Sequence, residues 1–236
     1  MFITIEGADF SGKTTMSNVI KDYFERMGKS VLLTKEPGGT AVGGVIRKIL
    51  TEEDVSNDPL SVSTQILLLY AARIHHVNTV IIPALNSGKI VISDRFIDSS
   101  LVYQGLMYEH LDVIESLTSI HKLRYLSERP DYTFYYDINH NTLVSRMQQR
   151  EDHNALDIKY AKLGETPLDC FKQHFYELSH SNASTVKIID ANENINVVKD
   201  TTLQLIKKCH LLYTNKRFKK NTNDDLNYLD RVKSCM

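Results

Sequence analysis

FITIEGADFSGKTT, residues 2–15, opens the chain with a short run of strand character followed at once by a glycine-spaced polar turn. FITIE (Phe2 to Glu6) reads as a buried strand. GADFSGKT (Gly7 to Thr14) fits G-x-x-x-x-G-K-[ST] and sits where that motif must sit, between a strand and a helix. The helix follows as Met16, Val19, Ile20, Tyr23, Phe24 and Met27, one apolar face at i, i+3, i+4, i+7, i+8 and i+11, closed by Gly28. In such a turn the glycines let backbone N–H groups converge on phosphate oxygens, and the helix N-terminus adds partial positive charge. Lys13 then reaches the β- and γ-phosphates, and the Thr14 hydroxyl ligates Mg²⁺. Gly7, Ala8, Asp9, Phe10, Ser11, Gly12, Lys13, Thr14 and Thr15 are accordingly the set that binds a nucleoside triphosphate.

Working outward, short apolar runs alternate with helical patterns. VLLT (31–34), KIVIS (89–93), TFYYDI (133–138) and TVKIID (185–190) read as four further strands. Val42, Val45, Ile46, Ile49 and Leu50 make a short helix, and a long helical region spans about Ser61 to Leu85, bent near Pro83. This alternation predicts an α/β domain with a parallel sheet covered on both faces. There is no internal repeat. Residues 151–166 are polar and charged, with Gly164, and read as a mobile excursion; residues 214–236 read as a polar C-terminal tail.

Composition excludes several function classes. The apolar fraction of 42% is ample for a core, and a net charge of −1 argues against a general nucleic-acid binder. Cys170, Cys209 and Cys235 are odd in number and form no C-x-x-C pair, which suits a reducing compartment without disulfides or structural zinc. The N-terminus has no signal-peptide character, and the longest apolar run, ILLLYAA, falls short of a membrane helix. These features predict a cytoplasmic protein with no membrane partner. Adjacent His75 and His76 lack the i, i+4 spacing of helical metal ligands.

The next question is what receives the phosphate. The chain has no N-K-x-D for reading guanine. The third strand ends in Asp94-Arg95 where a motor ATPase carries Asp-Glu, and arginine cannot act as a base. An arginine there suits an anionic acceptor instead. A phosphate monoester is largely ionised at pH 7, so transfer to it needs no base, only cations that bring two polyanions together. In DRFIDSSLVYQG, after KIVIS, Ser100, Tyr103 and Gln104 stand at i, i+3 and i+4 and share one helical face.

FITIEGAD-x-SGKTT, TKEPGGT, the Arg47 helix, AAR-x-x-H, I-x-PAL-x-x-G-K-I-V-I-S-DRFIDSS and YQG together resemble the thymidylate kinases over about 210 residues. The resemblance implies a P-loop NTPase fold of the nucleoside monophosphate kinase type, with a five-stranded parallel sheet flanked by helices and a mobile lid. It implies transfer of the γ-phosphate of ATP to dTMP, giving dTDP, and commonly a homodimer. Residue by residue, it assigns Arg95 and Arg47 to the acceptor phosphate and Asp94 to the Mg²⁺ shell. Asp9 meets the sugar 3′-hydroxyl and approaches the metal. Arg73 and Gln104 meet the pyrimidine edge beside Ser100, and Tyr103 packs where a 2′-hydroxyl would go. Glu36 and the Pro37-Gly38-Gly39-Thr40 turn shape the acceptor pocket.

The sequence departs from the family's pattern at several places. Four residues before Arg73 the family commonly has Phe to stack on thymine; here Leu69 stands there, with Tyr70 about 100° further round the helix. Either Tyr70 reaches in, or the base rests on an aliphatic floor. Gln65 and Gly44 stand where glutamates are common, and position 10 is Phe rather than Arg. The family's other solution draws the catalytic arginine from the lid, here about residues 146–166. Arg146 and Arg150 are available at i, i+4, while Ala155 falls where a further lid arginine is expected. Two other readings stay open. One is a kinase for dUMP or a 5-modified dUMP, which Leu69 keeps in play. The other is a nucleotide-binding protein that has lost turnover and acts through a partner.

Overall fold

The computed structural model describes residues 1–51, 60–105, 129–149 and 166–233, with backbone alone at 104–105, 166–167 and 216–233. Its five strands are β1 (Phe2–Glu6), β2 (Val31–Lys35), β3 (Ile90–Asp94), β4 (Tyr132–Asp137) and β5 (Val186–Asp190). They form one parallel sheet in the order β2-β3-β1-β4-β5. All five agree with the sequence reading to within a residue at each end. The register sets Asp94 beside both Ile5 and Lys35, so β1, β2 and β3 end at one level. In an open parallel sheet a ligand crevice forms outside those carboxyl ends, where the strand order reverses.

Alternation along β1 decides what each face holds. Ile3 and Ile5 point toward α1 (Lys13–Arg26) and the last helix, α8 (Ile195–Lys233), and join Met16, Ile20, Phe24, Val198 and Ile206 in the largest buried cluster. Phe2 points the other way, against α3 (Val62–His76), meeting Ile66, Tyr70, Val91 and Phe96. Thr4 and Glu6 share the side of Phe2 and are fully buried. Thr4 is satisfied by the Thr133 hydroxyl at 3.0 Å. Full burial of each large aliphatic side chain is worth about 1.5–3 kcal/mol, so these two clusters hold the sheet between its helical layers.

Helix boundaries follow local chemistry. The Ser61 hydroxyl accepts from the Thr64 N–H to start α3, and Asn139 caps α6 (His140–Gln148) through the Thr142 N–H at 2.8 Å. Gly28, at φ +70°, closes α1 while the Lys29 N–H returns to Phe24 O. Just before Pro83, where a bend is expected, the helix passes through a π turn at Val77–Ile81 that leads into α4 (Ile82–Asn86). Proline lacks an N–H and collides with the carbonyl four residues back, and widening the preceding turn relieves both. A second π turn, Leu101–Gly105, extends α5 (Ile97–Ser100). The remaining helices are α2 (Ala41–Thr51) and α7 (Thr166–Ser181). α8 runs on to Lys233, through the stretch separated above as a polar tail.

Taken as one segment, Val62–Asn86 has the length and composition to cross a membrane, which a count of uninterrupted apolar residues passes over. In the fold it lies on the sheet, and its buried Arg73 and His76 are bonded to Glu36. It is a core helix.

Candidate active site

The glycine turn between β1 and α1 is shaped by space and by backbone sign. A side chain at Gly7 (φ +140°) would lie 2.7 Å from Tyr136 O, and Gly12 enters α1 at φ +90°. Lys13 is 5% exposed; its ammonium donates to Ala8 O at 2.7 Å and lies 3.5 Å from Asp9 Oδ1. Burial and then the Arg95 charge lower its pKa, against Asp9, Asp94 and Glu6. The Thr14 hydroxyl donates to Asp94 Oδ2 at 3.3 Å, while buried Asp94 Oδ1 has no protein partner. A hydroxyl and an unsatisfied carboxylate oxygen beside a phosphate cradle form the hard-oxygen donor set that Mg²⁺ takes, with phosphate and water completing its shell. Among the described residues no group of three or more His, Cys, Asp or Glu could hold an ion alone.

A cleft of about 870 Å³ joins this end to a second cationic end. Arg95, at φ +70°, follows β3 in a left-handed conformation rare for a bulky residue. Its Nη1 donates to Gly7 O and Ser99 Oγ, and its Nη2 to Asp9 Oδ1 at 2.5 Å. Burial disfavours ionisation of Asp9, but Arg95 and Lys13 outweigh it and hold the carboxyl well below the usual range. One carboxylate oxygen therefore touches both cations that the sequence assigns to donor and acceptor. Arg47 lines the same cleft and donates to Pro37 O at 3.2 Å.

Behind the cleft lies a buried relay. Arg73 Nε donates to Glu36 Oε2 at 2.6 Å, and its Nη2 donates to Phe96 O and Ser100 Oγ. Glu36 Oε1 meets His76 Nδ1 at 2.9 Å, and His76 Nε2 meets the Thr34 hydroxyl at 2.7 Å. An ionised carboxylate only accepts, so His76 Nδ1 carries the proton. Arg73 Nη1 is buried without a partner. A space of about 10 Å³ lies among Arg73, Leu69, Pro37 and Gly38.

The structure thus brings Lys13, Thr14, Asp94, Arg95, Asp9, Arg47 and Glu36 to one cleft, with Leu69, Arg73 and Pro37 beside it. Three of the residues singled out in the sequence make contacts with protein. Tyr70 does not reach in: it is 3% exposed in the core, with the Arg73 guanidinium 4.9 Å over its ring. A residue 100° round the helix from Leu69, which borders the small space beside the cleft, meets the sheet instead. Tyr103 likewise sits in the core edge-on to Phe171, 5.2 Å beneath the Arg95 guanidinium, and supports that arginine. Arg146 lines the cleft, but its Nη1 and Nη2 donate to Phe10 O and Ala191 O, tying the phosphate turn to the end of β5. Arg150, the Gln104 side chain and most of the expected lid lie outside the described residues. Glu6 and Ser99, which hold Arg95, were missed, as was Lys35 in the cleft wall. Glu6, a charge closing an apolar strand, was the readable signal among them.

A family model for thymidylate kinase matches residues 5–202. The thymidylate kinase of Rickettsia peacockii is 38% identical over 192 residues, 81% of this chain and 89% of that one. Those of Ligilactobacillus salivarius and Mycoplasma capricolum are 34% and 38% identical, covering 87% of this chain and 96% and 94% of theirs. The crystal structure of thymidylate kinase from Ehrlichia chaffeensis superposes with a TM-score of 0.64 at 28% identity, over 88% of this chain and 98% of that one.

Proposed function

This chain belongs to the thymidylate kinase family, and from that premise we propose how its cleft works. It transfers the γ-phosphoryl group of ATP to dTMP, giving dTDP and ADP. The reading rests on one observation above all: the phosphate turn and the acceptor arginines share a cleft, and Asp9 of that turn pairs with both Lys13 and Arg95.

Lys13 and the amides of residues 7–15 hold the donor's β- and γ-phosphates. Arg95 and Arg47 hold the acceptor phosphate, whose own ionised oxygen is the nucleophile, so no side chain has to remove a proton. Asp9 occupies the place between the cations and yields it to phosphate, turning toward the sugar. Thr14 and Asp94 would hold Mg²⁺, which when bound neutralises charge on the β- and γ-phosphates. Arg73 Nη1, buried with no partner, is left to donate to a pyrimidine O4. It meets another donor in the cytosine amino group, so dCMP is rejected. Leu69 gives the base an aliphatic floor.

Residues 146–166 are proposed as a lid and 214–236 as a tail, with the enzyme in the cytoplasm and free of nucleic acid and membrane. A homodimer is supported by exposed Val42, Val45 and Ile49, recurring on one side of α2, and by Leu67 on α3, which packs against α2. The test of function is incubation with Mg-ATP and dTMP, dUMP or dCMP. Diphosphate is expected from dTMP foremost and not from dCMP. Diphosphate from dUMP alone, or from no acceptor, would overturn the reading.

A further inference from the structure

We propose that Glu6, the last residue of β1, is a positioning residue for the acceptor-binding guanidinium of Arg95, acting through Ser99 and the Phe96 amide. The inference rests on the assignment of Arg95 to the acceptor phosphate.

Glu6 is fully buried, where an ionisable group persists only if its oxygens are satisfied. Its Oε1 accepts the Phe96 N–H at 2.7 Å and its Oε2 accepts the Ser99 hydroxyl at 2.6 Å. Ser99 Oγ in turn accepts from Arg95 Nη1 at 3.1 Å. A serine hydroxyl has one proton to give, and committing it to Glu6 leaves a lone pair facing the arginine. Both Nη1 hydrogens are then spoken for, one by Ser99 and one by Gly7 O. The guanidinium is anchored along that edge, while its Nη2 corner, now on Asp9, faces the cleft.

The backbone is held by the same contacts. Arg95 adopts φ +70°, which costs a bulky residue energy unless its surroundings enforce it. The Arg95 N–H donates to Ile5 O, the Ser93 hydroxyl donates to Arg95 O, and the next amide, of Phe96, donates to Glu6. Glu6 therefore closes both the side-chain and the main-chain constraint. Other charged groups around it are Asp98, itself paired with His174 at 3.0 Å, and the cations Lys13 and Arg73, which feel its charge. Of the described residues bonded to it, Ser99 reaches the Arg95 side chain and Phe96 the adjoining backbone.

Glu6→Gln keeps the shape but offers Ser99 an N–H, which competes with Arg95 for the same lone pairs. In the full chain, kcat/KM for dTMP should fall about tenfold or more, with KM raised, while KM for ATP stays within about twofold. In an Arg95→Ala background the same change should add less than about twofold, because the residue it positions is gone. Ser99→Ala, which leaves the Glu6–Phe96 bond intact, should repeat the pattern at about threefold or more and serves if Glu6→Gln does not fold. The inference fails if Glu6→Gln lowers ATP and dTMP use equally, or if its loss multiplies in full with Arg95→Ala. If Arg95→Ala alone spares dTMP kinetics, the acceptor assignment itself is wrong.

Discussion

Gly39 of the acceptor turn lies against the His76 ring of the buried relay, and a single methyl there gives a sharp test. A Cβ built on Gly39 would lie 2.5 Å from His76 Cδ2 and 2.6 Å from Cε1, and would overlap Nε2. Carbon atoms rest at about 3.5–4.0 Å, so ring or turn must move by about 1 Å. The ring cannot yield freely, being 2% exposed and pinned between Glu36 at 2.9 Å and Thr34 at 2.7 Å. Overpacking costs about 1–3 kcal/mol, and swinging the ring away instead costs a similar amount in buried hydrogen bonds. Taking about 2 kcal/mol, Gly39→Ala should lower Tm by about 4–8 °C in a chain of this size. Displacing the turn also moves Pro37, whose carbonyl holds Arg47, so KM for dTMP should rise about tenfold while KM for ATP holds. Thermal unfolding by circular dichroism and steady-state kinetics read both effects. His76→Ala vacates the ring, so in the double variant the penalties should fall short of their sum by about 1 kcal/mol or more. A parental Tm and KM in Gly39→Ala, or full additivity with His76→Ala, would refute the reasoning.

Four further outcomes are expected. Lys13→Ala should cut turnover at least ~10³-fold with the fold retained, since Asp9 keeps Arg95 as partner; near-normal turnover in a folded variant would move the donor site elsewhere. Leu69→Phe should lower KM for dTMP several-fold by adding a stacking face worth about 1 kcal/mol or more. Tyr70→Ala should instead destabilise the fold by about 3–5 kcal/mol; if Leu69→Phe raises KM, the aliphatic floor is wrong. Burial, then Asp98, pushes the Glu6 carboxyl up to about 7 against Ser99, Arg95 and Phe96. The native state therefore binds more protons than the unfolded chain between 4.5 and about 7, and stability falls as pH rises through that window. Glu6→Gln should remove a loss of about 3 kcal/mol between pH 4.5 and 8 in urea titrations; parallel curves for parent and variant would sink the idea.

The strands and the phosphate turn were legible because each depends on local pattern: an apolar run, a glycine spacing, a 3.6-residue period. What one sequence carries poorly is which neighbour a side chain chooses. Tyr70 looked able to serve the base, but a rotation of one residue on α3 sends it to Phe2 and Phe96 in the core. Tyr103 and Arg146 also make protein contacts with residues far away in sequence, which the sequence alone does not display. Glu6 was overlooked because the donors it accepts from belong to a segment some 90 positions on, which the docking of β3 beside β1 brings near.

That docking has a bearing on how the chain is made. β1 pairs with β3 and β4, never with its neighbour in sequence, since Phe2 stands beside Val91 and Ile3 beside Tyr132. No hairpin can nucleate this sheet. On a ribosome adding about 5–20 residues per second, the central strand waits several seconds or longer with both edges unpaired and three of its five side chains apolar. Chains released before residue 90 keep those edges open for good and should self-associate, whereas those ending after β5 can close the sheet. The middle of the sheet, the most protected part of the finished enzyme, is its most vulnerable part during synthesis.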